Sequence, residues 1–141
     1  MSEQNIELLR GFTEAYNARD EEALISYCDP SIEAHSAFAT VGDTVYHGHA
    51  GVRRIFRDME EAWGKDIRSE PEAYFDLGDH TLSFGVFRGR GRQSGAEVVM
   101  PIAHVATWRD GLIVYTKSYG SREDALRDLG VSKDALEPLA P

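Results

Sequence analysis

The chain has 141 residues, 42% hydrophobic and 28% charged, with 24 acidic and 15 basic side chains for a formal net charge of -9. That is the size and composition of one globular domain, not of a disordered chain. Its negative charge repels phosphate backbones and anionic lipid, so neither nucleic acid nor a membrane surface is an expected partner.

Cys28 is the only cysteine, which excludes an intramolecular disulfide and any thiolate-rich metal site. No basic stretch followed by an apolar run opens the sequence, and a cytoplasmic protein is the expectation. Ile6, Leu9, Phe12 and Tyr16 recur at helical spacing. Asn17 to Asp20 break that helix, and Asp20 is placed to cap a second one carrying Ala23, Leu24 and Tyr27 and ended by Pro30. A short extended piece from Ile32 to Phe38 follows, then a second around Tyr46-His47-Gly48. A third helix, about His49 to Trp63, carries Val52, Ile55, Phe56, Met59 and Trp63 on one stripe.

From Lys65 the hydrophobic period changes from 3.6 to 2, and about four strands follow as far as Tyr119. Leu77-Gly78-Asp79 reads as one hairpin turn, Arg88 to Gly95 as a glycine-rich tip, and Asp110-Gly111 as a tight turn. Ser121 is spaced to cap a short helix from Glu123 to Leu129, which Gly130 stops. Helices first and strands afterwards predict an α+β fold, with residues 1–141 as a single domain.

The order of these elements resembles the nuclear-transport-factor-2-like superfamily, in its SnoaL-like and ketosteroid-isomerase-like branch. Four segments carry the resemblance: Ala15-Tyr16-Asn17-Ala18-Arg19-Asp20 with Ala23-Leu24, Tyr46-His47-Gly48-His49-Ala50-Gly51-Val52-Arg53, Trp108-Arg109-Asp110-Gly111-Leu112-Ile113, and Ser121-Arg122-Glu123-Asp124-Ala125-Leu126. It implies a cone: three N-terminal helices packed on a strongly curved antiparallel sheet, with a short C-terminal helix. It also implies a homodimer formed through the outer sheet face, where Val99, Val105, Ile113, Tyr115 and Tyr119 are expected.

The fold hosts several chemistries and none, so function rests on the polar groups that enter the cone. Matched to the isomerase pattern, His35 stands at the position of the general-base aspartate and His104 at that of the oxyanion-hole aspartate. Phe12 stands where the isomerase has a tyrosine, and it cannot donate a hydrogen bond. Strand alternation gives a second reason to look at His104, which shares a face with Met100, Ile102, Ala106 and Trp108. An imidazole there is either a core group with a satisfied partner or a site residue. The inward face of the last strand is expected to carry Thr116 and Ser118. Further pocket-wall candidates are Tyr16, Tyr27, Phe38, Trp63, Tyr74, Phe84 and Met100, whose alternative is plain core packing.

The implied function is a small-molecule pocket protein. Either it catalyses proton transfer of the isomerase, cyclase or hydratase type on a hydrophobic carbonyl-bearing metabolite, or it is a non-enzymatic ligand-binding or dimerisation domain with a filled cone. In the first case His35 is the base and His104 the donor to developing negative charge. No cofactor is implied. His47 and His49 have no third ligand at suitable spacing, so no metal site is expected.

Overall fold

A computed structural model describes residues 2–37, 45–90 and 94–140. Phe38 lies outside the described residues. Helix α1 (Ser2–Asn17) ends where Arg19 takes a left-handed φ of 58°, and the chain turns into α2 (Glu21–Ser26). Asp20 Oδ1 accepts from Ala23 N–H at 3.1 Å, the cap expected at that position. Strand β1 (Cys28–His35) and the short β2 (Val45–His47) precede α3 (Gly48–Trp63), whose apolar stripe lies over the sheet. Strands β3 (Arg68–Asp76), β4 (His80–Arg90), β5 (Glu97–Arg109) and β6 (Leu112–Tyr119) follow, then α4 (Arg122–Leu129). Ser121 caps α4, and Gly130 stops it at φ 67°.

The strands form one six-stranded sheet in the order β2-β1-β6-β5-β4-β3, open at both edges. It is mixed. Strand β1 runs parallel to β6, whereas every other pair is antiparallel. The expected antiparallel sheet holds for β3 to β6 and for β1 with β2, and the one parallel pair arises because β1 joins the last strand of the chain after a long excursion.

Helix α2 also stops before Pro30, which belongs to β1 instead. Pro30 falls in the stretch between Cys28 and Glu33 where the register with β6 shifts, so its missing N–H costs no ladder bond. Arg88 and Arg90 belong to β4 rather than to a hairpin tip, and Arg88 pairs with Glu70 and Glu97. The turn between β5 and β6 has both Asp110 (φ 53°) and Gly111 (φ 79°) left-handed, which matches the twist of the flanking strands.

Each face of the sheet has its own cover. Helices α1 to α3 lie on the inner face, where Ile6, Leu9, Leu24, Val52 and Phe56 pack against Ile32, Tyr74, Trp108 and Ile113. On the outer face, Ala125, Leu126 and Leu129 of α4 cover Phe75, Leu82, Phe84, Ala103 and Val105. This corrects the expected dimer surface in two places. Val105 is 3% exposed beneath α4. Ile113 is fully buried on the inner side, because the register shift at Thr107/Trp108 adds one residue to β6 and reverses the alternation before Tyr115.

The β3 edge is blocked at successive positions. The Asn17 side chain bonds both N–H and C=O of Ser69 at 2.8 Å, Pro71 has no N–H, and Leu139 bridges both backbone groups of Tyr74. An edge filled in this way is closed to another strand.

Candidate functional site

Between the helices and the inner sheet face lies a cavity of about 140 Å³. Helix α1 contributes Phe12, Thr13 and Tyr16, and α3 contributes Val52, Ile55, Phe56 and Met59. The floor comes from alternate residues of β4 to β6, including Ser83, Phe87, Ile102, His104, Thr116 and Ser118. Phe12, opposite the floor, holds its ring nearly parallel to the imidazole of His104, at 15° and 6.1 Å between centroids.

His104 is the polar centre of that floor. Its cross-strand neighbours are Ser83 on β4 and Ser118 on β6, so a row of three polar side chains crosses three adjacent strands. Its Nε2 hydrogen-bonds the Thr116 hydroxyl. Nδ1 has no hydrogen-bond partner among the described residues. The ring is deep in the protein, and the surface it keeps is cavity surface. Burial removes water from the imidazolium without supplying a counter-charge, which lowers its pKa from 6.5 to about 4. His104 is therefore neutral at pH 7. Thr116 can donate or accept, so Nδ1 is free to take the complementary role toward a ligand.

Tyr16 and Cys28, also in the lining, are neutral as well. Burial pushes the Tyr16 phenol up to about 12, against the opposing effect of the Arg19 guanidinium beside it. Burial alone pushes the Cys28 thiol up to about 12. Among the described residues the lining contains no Asp, Glu, Lys or Arg. No cluster of His, Cys, Asp or Glu arranged to hold a metal ion occurs among them either.

His35 does not join His104. Residues Ile32 and Ala34 of β1, both 1% exposed, face inward, so His35 borders the cavity by its position while its ring lies on the outer face. There Nε2 hydrogen-bonds Glu33 at 2.8 Å, and the ring tilts against Tyr115 at 5.3 Å. Strand parity divides the two imidazoles between opposite faces of the sheet, and the expected pair facing one substrate is corrected on that ground.

Of the expected wall residues, Tyr16 lines the cavity. Phe84 touches it only along the strand, since its ring packs on Phe75 at 5.1 Å in the outer cluster. Tyr27 stands edge-on to Phe12 at 6.2 Å, and Trp63 edge-on to Phe87 at 5.8 Å, both behind the wall. Tyr74 is 2% exposed in the core with its hydroxyl 3.4 Å from Thr13. Met100 packs beside the cluster that contains Phe87. Among the wall residues absent from that set, Val52, Ile55, Phe56 and Met59 sit on the α3 stripe that helical periodicity already showed.

A SnoaL-like domain matches residues 9–116, and the chain belongs to that family. No curated protein shows significant sequence similarity to it. Among solved structures it is similar to a nuclear-transport-factor-2-like protein of unknown function from Burkholderia pseudomallei, at 18% identity and a TM-score of 0.76, covering 88% of this chain and 95% of that one. A protein of ketosteroid-isomerase-like fold from Catenulispora acidiphila, bound to trimethylamine, shares 15% identity with a TM-score of 0.72 over 91% of this chain and 95% of the other. IdmH from Streptomyces antibioticus, a candidate polyketide cyclase, shares 21% identity with a TM-score of 0.71, covering 91% of this chain and 99% of that one. At these identities the likeness establishes the fold: four helices on an open six-stranded mixed sheet.

Proposed function

We propose that this chain binds a hydrophobic, carbonyl-bearing metabolite in the cavity, with His104 hydrogen-bonding the carbonyl oxygen. The carrying observation is the free Nδ1 of a neutral imidazole in a mainly apolar, uncharged lining. A neutral imidazole of low pKa is a poor proton acceptor but a good fixed dipole, suited to negative charge that develops on oxygen during enolisation, ring closure or hydration. The likeness to a candidate cyclase supports this class of chemistry. One observation favours binding without turnover: the lining offers no carboxylate as a base among the described residues. In that reading the substrate brings its own acid–base group, or the protein only carries the ligand.

Incubation with cyclohexanone in deuterated buffer separates these readings. Deuterium entering beside the carbonyl faster than in buffer, and no longer doing so in His104→Gln, supports catalysis. Ligand resonances that broaden on the protein without exchange leave a binding protein. Neither effect, across a panel of cyclic ketones, refutes the proposal.

A further inference from the structure

The cavity carries two pieces of information about its occupant, its size and its charge. At about 140 Å³ it matches the room needed by one six-membered ring, since an apolar cavity of about 150 Å³ holds benzene. Phe12, Tyr16, Phe56 and Phe87 supply flat apolar walls, and such rings accept another ring in offset contact. Among the described residues, the side chains that break the apolar surface are hydroxyls, the thiol and one imidazole.

The described lining disfavours charge of either sign. Among the described residues no carboxylate, ammonium or guanidinium lines the cavity, so an ion entering it would lose its water and gain no counter-charge. Tyr16, Cys28 and His104 do not help, because all three stay neutral at pH 7. The same desolvation that keeps His104 neutral acts on any ligand beside it.

We infer that the occupant is an uncharged molecule built on a single six-membered ring, with one hydrogen-bonding substituent that meets Nδ1 of His104. The inference rests on the proposed use of this cavity and adds to it a size and a charge. Within the SnoaL-like fold it assigns this chain to small monocyclic ligands, not to fused-ring ones. The substituent is held at one point, by a nitrogen that gives or takes a hydrogen bond according to the tautomer that Thr116 stabilises. An amide, an aldehyde, a ketone or an un-ionised hydroxyl each satisfies that requirement. A carboxylate does not.

The test uses four probes on the full chain at pH 7: benzamide, its charged counterpart benzoate, benzylammonium, and 2-naphthamide as a fused-ring control. Dissociation constants come from ligand-observed NMR. Benzamide should bind, and each ion should bind at least about a hundredfold more weakly, as expected for an uncompensated buried charge. The naphthamide should bind more weakly than benzamide despite its larger apolar surface. His104→Gln, checked for folding by circular dichroism, should weaken benzamide by roughly three- to tenfold, the effect of one hydrogen bond, while leaving toluene unchanged. Benzoate or benzylammonium binding within tenfold of benzamide overturns the charge argument, and tighter naphthamide binding overturns the size argument. In either case the cavity remains a ligand site. If neither benzamide nor toluene binds, the cavity is not a ligand site and the functional reading falls with this inference.

Discussion

The neutral state of His104 makes a quantitative demand on stability. Its pKa in the native protein is lowered to about 4 from 6.5. Above pH 6.5 the imidazole is neutral in both native and unfolded chains, and titration contributes nothing to the balance. Below pH 6.5 the unfolded chain takes up a proton that the native protein refuses, so stability falls with pH until the native ring titrates near 4. Each pH unit in that window costs about 1.36 kcal/mol, for a total of about 3 kcal/mol at pH 4. That is a large share of the roughly 5–15 kcal/mol that holds a domain together. His104→Gln keeps a polar partner for Thr116 and removes the titration. Urea unfolding of both proteins at pH 7, 6, 5 and 4, followed by the fluorescence of Trp63 and Trp108, isolates the effect. Carboxylates and the other histidines are common to both and cancel. The wild type should lose about 3 kcal/mol more than the variant between pH 7 and pH 4. Parallel stability curves would show that the native ring protonates near its ordinary value, and the account of a dry, uncharged cavity would be wrong.

Trp108 Nε1 donates to Thr81 Oγ1 at 3.0 Å, with both residues buried. Thr81→Val should therefore cost about 1–3 kcal/mol in denaturant unfolding, with Thr81→Ser close to wild type. A Cβ on Gly85 would stand 2.3 Å from the Glu70 carbonyl oxygen, so Gly85→Ala must push β3 outward and should lower stability by about 1–3 kcal/mol. Cutting the chain after Gly130 removes Leu139 from the edge at Tyr74, and light scattering should then show larger, concentration-dependent assemblies than the full chain forms. The homodimer implied by the resemblance has Val99, Tyr115 and Tyr119 left of its expected surface; Tyr115→Arg should yield monomers in sedimentation, and a monomeric wild type at micromolar concentration removes that expectation.

What the sequence made legible was mostly local. Ile6, Leu9, Phe12 and Tyr16 specify α1 because their spacing alone makes one face apolar, and Asp20, Ser121, Gly130 and Asp110-Gly111 mark caps and turns whose geometry few other residues satisfy. The parallel pairing of β1 with β6 was not legible, because it joins residues about eighty positions apart and leaves no local mark on either strand. Bulges had the same effect on a smaller scale. One extra residue in β6 turned Ile113 from the expected outer face into the core.

The site shows where alternation suffices and where it does not. The inward face of His104 can be read from alternation because β5 is long and Ile102, His104 and Ala106 alternate without interruption up to the bulge. The direction of the Phe84 ring could not be read that way, because the face of β4 depends on its register with β5, which pairs Ser83 and not Phe84 with His104. For His35 the signal was present in the residues themselves. Ile32 and Ala34 are apolar and Glu33 and His35 polar, so a strand with its apolar residues inward must turn both polar ones out. The match to the isomerase's catalytic aspartate concealed that alternation, since a shared position along the chain does not fix the face of a strand. One imidazole turned out of the cavity on β1 and another kept neutral within it on β5 both follow from which way the alternating residues of their strands must face.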